Sequence, residues 1–490
     1  MFPIVILYTI GWILTLLASC MLLPVLFSMA SEDINVAQSF LVVALVLGFV
    51  GGAVLLALKD QKFSIDRKME LVIICTIWFV APVCASLPLI LTGFPDTLNA
   101  ALFEAVSGLT TTGATVFADL ADVPRGVIAW RSLLQWLGGL TTLMALAIAL
   151  NPLIGDEVSD THFRQVHRSS LATQRHAITS FRTIMPIYGG LTLLCFVLLV
   201  FANIPPFDAL CLSLSTLSTG GFMPRSGTIE LYGSPPAELV LAIFMFLGCV
   251  SILWLGAVFR FRWNVLKELP EPFWIAAAII LFGLVVTVML LQNSPESGFL
   301  QIFRSWTLGL ATAASYISTT GLTISERSHD GIPYLVMIII CLIGGGRFST
   351  AGGLKFFRVI SMFRQSSREL NLLIFPHGVS ASRFGRESRD NEIMRLIWAN
   401  LFAVVTAIWI LTVIVAATDI PLSVSFLASV SSISNIGPAF TFTRLPDFST
   451  VPGFGELSAI AQIALAIGMI FGRLEFLALL SLANVVYWRS

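Results

Sequence analysis

Apolar runs long enough to cross a lipid bilayer recur along the whole chain. A helix needs about 20 residues to span the hydrocarbon core of a membrane. The first run starts without a basic leading segment, is longer than the apolar part of a signal peptide and is followed by further runs, so we interpret it as a retained helix. The pattern predicts ten spanning helices, near residues 3–28, 37–58, 71–93, 126–150, 184–203, 236–259, 272–292, 332–358, 396–418 and 457–487.

Four shorter apolar segments lie between these runs. They are too short to span a bilayer, and each ends in a cluster of Ser, Thr and Gly. We therefore expect each segment to enter the membrane and return on the same side. They cover residues 99–109, 206–216, 301–316 and 422–433.

Composition excludes an ordinary soluble protein. Of the 490 residues, 57% are hydrophobic and 11% are charged, whereas soluble domains carry about 25% charged residues. The 28 Lys and Arg balance the 28 Asp and Glu, so nothing indicates a nucleic-acid partner. The seven cysteines show no CxxC or Cys/His spacing and favour neither disulfides nor a metal site. The predicted fold class is an all-α polytopic membrane protein that contacts membrane lipid.

The distribution of basic residues predicts the orientation in the membrane. Most of them fall in the stretches 59–68, 164–182, 260–267 and 355–395. By the positive-inside rule these loops are cytoplasmic, as are both termini, and the four short segments enter from outside. The opposite side carries only Arg125, Arg131, Arg225, Arg327 and Arg444.

The four Ser/Thr/Gly clusters align as copies of one unit. Aligned on Gly113, Gly220, Gly321 and Gly437, they are 107, 101 and 116 residues apart, and each copy has one span before it and one after it. Such a fixed recurrence indicates an internal fourfold duplication. It predicts an N-terminal two-helix extension at 1–58 followed by four helix, pore-loop, helix repeats at 59–165, 166–268, 269–375 and 376–490.

The composition of the clusters suits a cation that has lost its water. Backbone carbonyl oxygens from four strands can replace water without burying fixed negative charge, and glycine permits the backbone that turns a carbonyl toward an axis. The predicted selectivity filter comprises Thr110, Thr111, Thr112, Gly113, Leu217, Ser218, Thr219, Gly220, Ser318, Thr319, Thr320, Gly321, Ser434, Asn435, Ile436 and Gly437. Among these, the predicted ion ligands are Thr111, Thr112, Ser218, Thr219, Thr319, Thr320, Asn435 and Ile436.

Re-entrant loops at membrane depth imply a pore. Non-helical backbone survives there only when it is buried in protein or lines water, and the negative ends of four short helices would favour a cation. The alternative interpretation is that the clusters only let helices pack closely. Close packing requires neither a short preceding helix nor a repeated register, so we favour the pore.

A second glycine-rich stretch follows the third cluster. Residues 344–353, the glycine-rich loop, hold five glycines, each about 1 kcal/mol less favourable than alanine in a helix. The helix before it reaches roughly 18 Å, which places the break near mid-membrane. A phosphate-binding P-loop would need GxxxxGK[ST], which is absent here. The predicted gate below the filter consists of Gly344, Gly345, Gly346, Arg347, Ser349, Thr350, Gly352 and Gly353 together with Arg473.

Arg473 lies near the middle of the last predicted span. An arginine there costs roughly 2.5–3.5 kcal/mol on insertion scales unless it faces protein or a cavity. Two interpretations stay open: a functional one, in which Arg473 is a cation-repelling constriction or an anchor of the gate loop, and a structural ion pair with Glu475 of another helix. Glu104 and Asp208, on the first two short segments, fit structural or outer-vestibule charges better than direct ion ligands.

These residues resemble the Trk/Ktr/HKT superfamily of potassium transporters, and its TrkH branch in particular. The resemblance covers essentially the whole chain and is carried by the four clusters, by Gln135-Trp-Leu-Gly-Gly139, by the stretch 344–358 and by Gly472-Arg-Leu-Glu475. Arg347 departs from the small residues usual in that family. The resemblance implies potassium selectivity, since glycine occurs in all four clusters. It also implies a homodimer with one pore per subunit, a cytoplasmic nucleotide-binding regulatory ring of the TrkA type, and the bacterial inner membrane as location.

The expected function is potassium uptake, with no enzyme activity and with potassium as transported ion rather than cofactor. A sodium-permeable protein is one alternative. A proton- or sodium-coupled symporter is another, although inverted repeats and acids at the membrane midplane would then be expected.

Overall fold

The computed structural model describes residues 2–61, 67–149, 170–261, 266, 269–292, 298–328, 332–374, 387–442 and 451–474. The first nine helices are α1 (Phe2–Cys20), α2 (Leu22–Ala30), α3 (Ile34–Ala57), α4 (Arg67–Thr92), α5 (Leu98–Leu109), α6 (Arg125–Ala149), α7 (Ser170–Phe201), α8 (Pro206–Leu217) and α9 (Pro235–Cys249). They are followed by α10 (Ile252–Phe259), α11 (Glu271–Gln292), α12 (Phe299–Ile317), α13 (Tyr334–Leu342), strands β1 (Ile343–Gly344) and β2 (Leu354–Lys355), α14 (Phe356–Ile374), α15 (Glu387–Ala416), α16 (Leu422–Ile433), α17 (Pro438–Phe442) and α18 (Ala459–Arg473).

The helices confirm the predicted all-α polytopic class. Within the described residues, six helical spans are long and apolar enough to cross a membrane, or seven if the bent pair α9–α10 counts as one. The count of ten stays a prediction, because the run 457–487 continues past residue 474, where the description ends. The repeat boundaries near 165 and 375 and the basic stretch 164–169 also lie outside the described residues.

All four short segments form helices. Helices α5, α8 and α16 have 12 residues each, about 18 Å of helix, which is too short to cross the hydrocarbon core. Their N-termini are well formed: Thr97 Oγ1 accepts a hydrogen bond from Ala100 N, and Pro206 opens α8, where a missing N–H costs nothing. Helix α12 is longer, with 19 residues. We call α5, α8, α12 and α16 pore helices 1 to 4.

Helices α1 to α3 lie against the first repeat. Helix α1 packs on α3 and α4, and α2 packs on α6. The crossing of α1 and α3 is close, because a Cβ on Gly51 would lie 2.9 Å from the carbonyl oxygen of Gly11. The predicted first span consists of two consecutive helices, α1 and α2, which pack against α4 and α6 of the first repeat.

Two of the helices that follow pore helices are broken. The helix after pore helix 3 ends at Leu342, as the glycine-rich loop predicts. The run 236–259 predicts one continuous helix, and this is wrong: α9 and α10 meet at 108°. Val250 and Ser251 are extended at the bend. Two backbone hydrogen bonds between the bend and the glycine-rich loop stabilise the bend, from Gly346 N to Cys249 O (2.8 Å) and from Ile252 N to Phe348 O (3.0 Å).

Candidate ion pathway

The segments that follow the four pore helices form a closed ring. We define filter segments 1 to 4 as residues 110–113, 218–221, 318–321 and 434–437. A side chain on Gly113 would collide with the carbonyl oxygen of Gly220, and one on Gly221 with that of Thr320. A Cβ on Gly321 would lie 2.9 Å from Pro438 Cδ. Gly437 N donates to Thr112 O (2.6 Å), which joins segment 4 back to segment 1.

The same backbone turn recurs in all four copies. Each pore helix ends at the residue directly before its filter segment. The second residue of each segment donates its N–H to a carbonyl three residues back, in the pairs Thr111–Gly108, Thr219–Thr216, Thr319–Tyr316 and Asn435–Ser432. These four donors have φ values of 52°, 55°, 60° and 55°, a region that side-chain-bearing residues seldom adopt. Four identical strained turns support one shared origin.

The turn corrects the alignment of the second copy by one residue. The glycine equivalent to Gly113 and Gly321 is Gly221, not Gly220: it follows the left-handed Thr219 by two positions and has a φ of 83°. Leu217, predicted to be a filter residue, is the last residue of pore helix 2. A glycine doublet allows either alignment. Ser215 would have resolved the choice, because only the corrected register pairs it with Ser107, Ser315 and Ser431.

Filter segment 4 departs from the other three. Its Asn435 donates from Nδ2 to Thr112 Oγ1 (2.9 Å) and to Met469 O (3.0 Å). The carbonyl of Ile436 accepts from Ser431 Oγ (2.7 Å), and Gly437 does not adopt a left-handed φ. The ring is thus three similar segments plus one that is tied more tightly to its neighbours.

Electrostatics in the ring come from dipoles rather than charges. No charged residue occurs in the filter segments, and the negative C-terminal ends of the pore helices lead directly into them. Two of the predicted ion ligands, Thr112 and Thr320, have hydroxyls that form hydrogen bonds within their own segments. Thr110 and Thr112 share a hydrogen bond of 2.8 Å, and Ser318 and Thr320 share one of 2.6 Å. These bonds leave the backbone carbonyls as the better candidate ligands.

The second residues of the filter segments form the floor of the ring, and three different groups contact it. Arg473 Nη2 donates to Thr111 Oγ1. Thr350 Oγ1 lies 3.3 Å from Thr219 Oγ1, and Gly352 N donates to Thr319 Oγ1 (2.7 Å). The predicted gate residues Thr350, Gly352 and Arg473 therefore meet the predicted filter directly.

The glycine-rich loop is held at both ends. Strands β1 and β2 pair in parallel, with Ile343 opposite Leu354 and Gly344 opposite Lys355. In the middle of the loop, the Thr350 hydroxyl contacts two carbonyls, Leu217 O (3.2 Å) and Gly248 O (3.0 Å). Ser349 Oγ donates to Gly346 O (2.7 Å). The loop, which belongs to repeat 3, is thus packed against repeat 2, and a side chain on Gly352 would collide with Ser434 O of repeat 4.

Glu271 is a partner of the loop that the sequence analysis missed. Its two carboxylate oxygens accept from Arg347 N at 3.2 and 3.3 Å, while the Arg347 guanidinium carbon lies 3.8 Å from the ring centre of Phe357. Lys355 Nζ donates to Ala351 O (2.5 Å). Glu271 lies 76 residues from Arg347, so no local motif links the two.

Arg473 is buried, with 8% of its surface exposed, and its guanidinium faces filter segment 1. Glu475, the acid in the ion-pair interpretation, lies outside the described residues. Among the residues that are described, Arg473 Nε has no hydrogen-bond partner. The contact with Thr111 fits the first interpretation, an arginine at the gate, and the ion pair with Glu475 stays an untested prediction.

Acidic residues on the pore helices bind structural partners. Glu104 forms a buried ion pair with Arg131 (2.6 Å) and accepts from Val116 N (3.0 Å), which fixes the chain leaving filter segment 1. Asp208 pairs with Arg225 (2.6 Å). Outside the spans, the Ser226 hydroxyl donates to Asp119 and lowers the pKa of that carboxyl, which ties the loops of repeats 1 and 2 together.

Fold and site together define a polytopic membrane protein in which four short helices lead into a buried ring of four non-helical segments. The TrkH family model, described as a cation transport protein, matches residues 37–487. The chain belongs to this family. The expectation of a transporter rather than an enzyme is thereby confirmed.

Named relatives cover nearly the full length of the chain. It is 27% identical to the Trk system potassium uptake protein TrkH of Salmonella typhimurium, over 98% of both proteins. It is 26% identical to the Trk system potassium uptake protein TrkI of Halomonas elongata, over 100% of this chain and 97% of that one. The crystal structure of the potassium transporter TrkH from Vibrio parahaemolyticus matches with a TM-score of 0.85 and 26% identity, covering 100% of both chains.

Proposed function

We propose that this protein carries potassium into the cell through the ring of filter segments. The observation that supports this most is the closed ring of four backbone turns, three of them with a left-handed glycine, in a chain whose relatives are potassium uptake proteins. Carbonyl oxygens at such a ring can replace the water shell of a monovalent cation. The ring would select potassium over other cations, and no covalent chemistry is needed.

The proposed gate is the glycine-rich loop together with Arg473. Both contact the floor of the ring on the side where the pore helices end. An ion that leaves the ring in that direction must displace the loop, and the guanidinium charge opposes a cation at the same level. Opening therefore requires movement of the loop, of Arg473, or of both.

The driving force and assembly complete the proposal. Inward flow of one charge yields about 2.3 kcal/mol per 100 mV of membrane potential. We place the protein in the bacterial inner membrane with both termini in the cytoplasm. It would work as a homodimer with one pore per subunit, controlled by a separate cytoplasmic nucleotide-binding ring of the TrkA type.

Ion flux into liposomes tests this function. Purified protein in vesicles under an inside-negative potential should admit rubidium and potassium in preference to sodium, without need of a proton or sodium gradient. Uptake that required such a gradient would replace the proposal with a coupled symporter, and equal sodium uptake would replace it with an unselective pathway.

Gly113→Ser tests the first filter segment in the same assay. A side chain at residue 113 would meet the carbonyl of Gly220, so we expect the preference for potassium over sodium to fall about tenfold or more. Unchanged preference in a folded variant would exclude segment 1 from ion selection.

A further inference from the structure

Helix α6 inserts one face between filter segments 1 and 2. A side chain on Gly138 would collide with Leu109 O at the end of pore helix 1, and a Cβ on Gly139 would lie 3.0 Å from Ser218 Cβ. Gln135 lies three residues before Gly138, on the same face of the helix. Its carboxamide lies against Gly220 of segment 2.

Gly220 is the third residue of its segment, and unlike the third residues of the other three segments it has no side chain. The equivalent residues are Thr112, Thr320 and Ile436, all buried. At Gly220 the space for a side chain is already filled: a Cβ would lie 2.5 Å from Gln135 Oε1 and 2.7 Å from Nε2. Since the φ of Gly220 is not left-handed, its backbone would permit a side chain, and the carboxamide is what prevents one.

Gln135 also bonds to the chain that leaves the segment. Its Oε1 accepts from Phe222 N (3.3 Å), and the residue has no exposed surface. Across the described part of the chain, Nε2 finds no hydrogen-bond partner. A buried donor without a partner costs free energy, so simple packing does not explain a glutamine here.

Repeats 2 and 4 show which residue type occupies the position of Gln135 where only packing is required. Gly248 and Gly472 correspond to Gly138, because each faces the last carbonyl of its own pore helix, Leu217 O and Ile433 O. Three residues earlier these repeats have Met245 and Met469. Methionine fills such gaps without a polar atom to satisfy. The first repeat alone among these three has an amide at this position.

We propose that the Gln135 carboxamide is the missing third side chain of filter segment 2, supplied by the neighbouring repeat, and that it positions the segment for cation selection. This inference rests on the proposed function. It explains the glycine doublet: Gly220 makes room for Gln135, and Gly221 makes the left-handed turn of the ring. Gln135 acts through the filter backbone and is therefore a positioning residue.

Gln135→Met, the residue of repeats 2 and 4, tests the proposal in the liposome assay. It keeps volume and removes the bond to Phe222 N, so the preference for potassium over sodium should fall severalfold, up to about tenfold. Gln462→Met is the matched control. Gln462 is also a buried glutamine, on helix α18, but its Nε2 donates to Phe454 O (3.0 Å), which lies outside the filter segments. It should lower thermal stability and leave selectivity unchanged.

A rescue experiment separates positioning from stability. Gln135→Ala empties the space beside Gly220, and adding Gly220→Thr to that variant restores the residue type of segments 1 and 3. Selectivity should return toward that of the wild type in the double variant, whereas Gly220→Thr alone should fold poorly. If neither Gln135→Met nor the rescue changes selectivity, while Gly113→Ser lowers it, this inference is overturned and the proposed function stands. A wild-type protein that does not select potassium would overturn the proposed function itself.

Discussion

The ring of filter segments and the floor beneath it are built in different ways. In the ring, one backbone turn occurs four times with the same hydrogen bond and with a left-handed residue at the same position. In the floor, every contact occurs once: an arginine from repeat 4, a threonine and a backbone N–H from repeat 3. Duplication accounts for the ring, and divergence between the copies accounts for the floor. Changes in the ring should therefore alter which ion passes, and changes in the floor should alter how much passes.

The largest effect is expected in the ring, from Gly221→Ala. Alanine in the left-handed region costs about 1–2 kcal/mol, and its Cβ would also collide with Thr320 O. We expect the preference for rubidium over sodium to fall at least about tenfold. Gly220→Ala is the matched control one residue away, where the obstacle is the end of a flexible side chain, and its effect should be smaller. The reverse order would contradict the corrected register.

A smaller effect is expected when the floor is opened by deleting residues 345–352. Gly344 and Gly353 are already neighbours, since a Cβ on Gly344 would lie 3.0 Å from Gly353 Cα, so the shortened chain can close. Basal potassium flux without any regulatory partner should rise severalfold. The potassium-to-sodium ratio, measured on the same vesicles, should stay as in the wild type. Reduced or unchanged flux from a folded variant would exclude the loop as the barrier.

The smallest effect is expected from Glu271→Ala, which removes the acceptor for Arg347 N. One lost hydrogen bond to a charged group loosens the loop by about 1.5–3 kcal/mol at most, and other contacts still hold it. Basal flux should rise about twofold to threefold. Glu271→Gln keeps an oxygen at the same place and should lie between Ala and the wild type. If Gln and Ala behave alike and neither differs from the wild type, Glu271 does not restrain the gate.

The sequence alone predicts what repetition and composition encode. The short pore helices, the four clusters and the break after Leu342 follow from segment length, glycine content and recurrence. The bend at Val250 was missed, because it contains no glycine or proline and is stabilised by the loop of another repeat. Tertiary hydrogen bonds of that kind leave no local pattern.

The site shows the same division. Most filter residues could be named in advance, but the glycine doublet in segment 2 shifted its register by one, since Gly220 and Gly221 are equivalent until the backbone angles are seen. Glu271 and Gln135 reach their partners across 76 and 87 residues of sequence. Only the packed structure brings such pairs together.

The proposal that matters most is that the ring of filter segments binds one dehydrated cation on its axis. Its most direct test is an experimental structure of the protein in rubidium, whose anomalous scattering locates the ion. We expect rubidium density inside the ring, within about 3 Å of the carbonyl oxygens of Thr112, Gly220 and Thr320. A ring without ion density, with rubidium bound elsewhere along the chain, would contradict it.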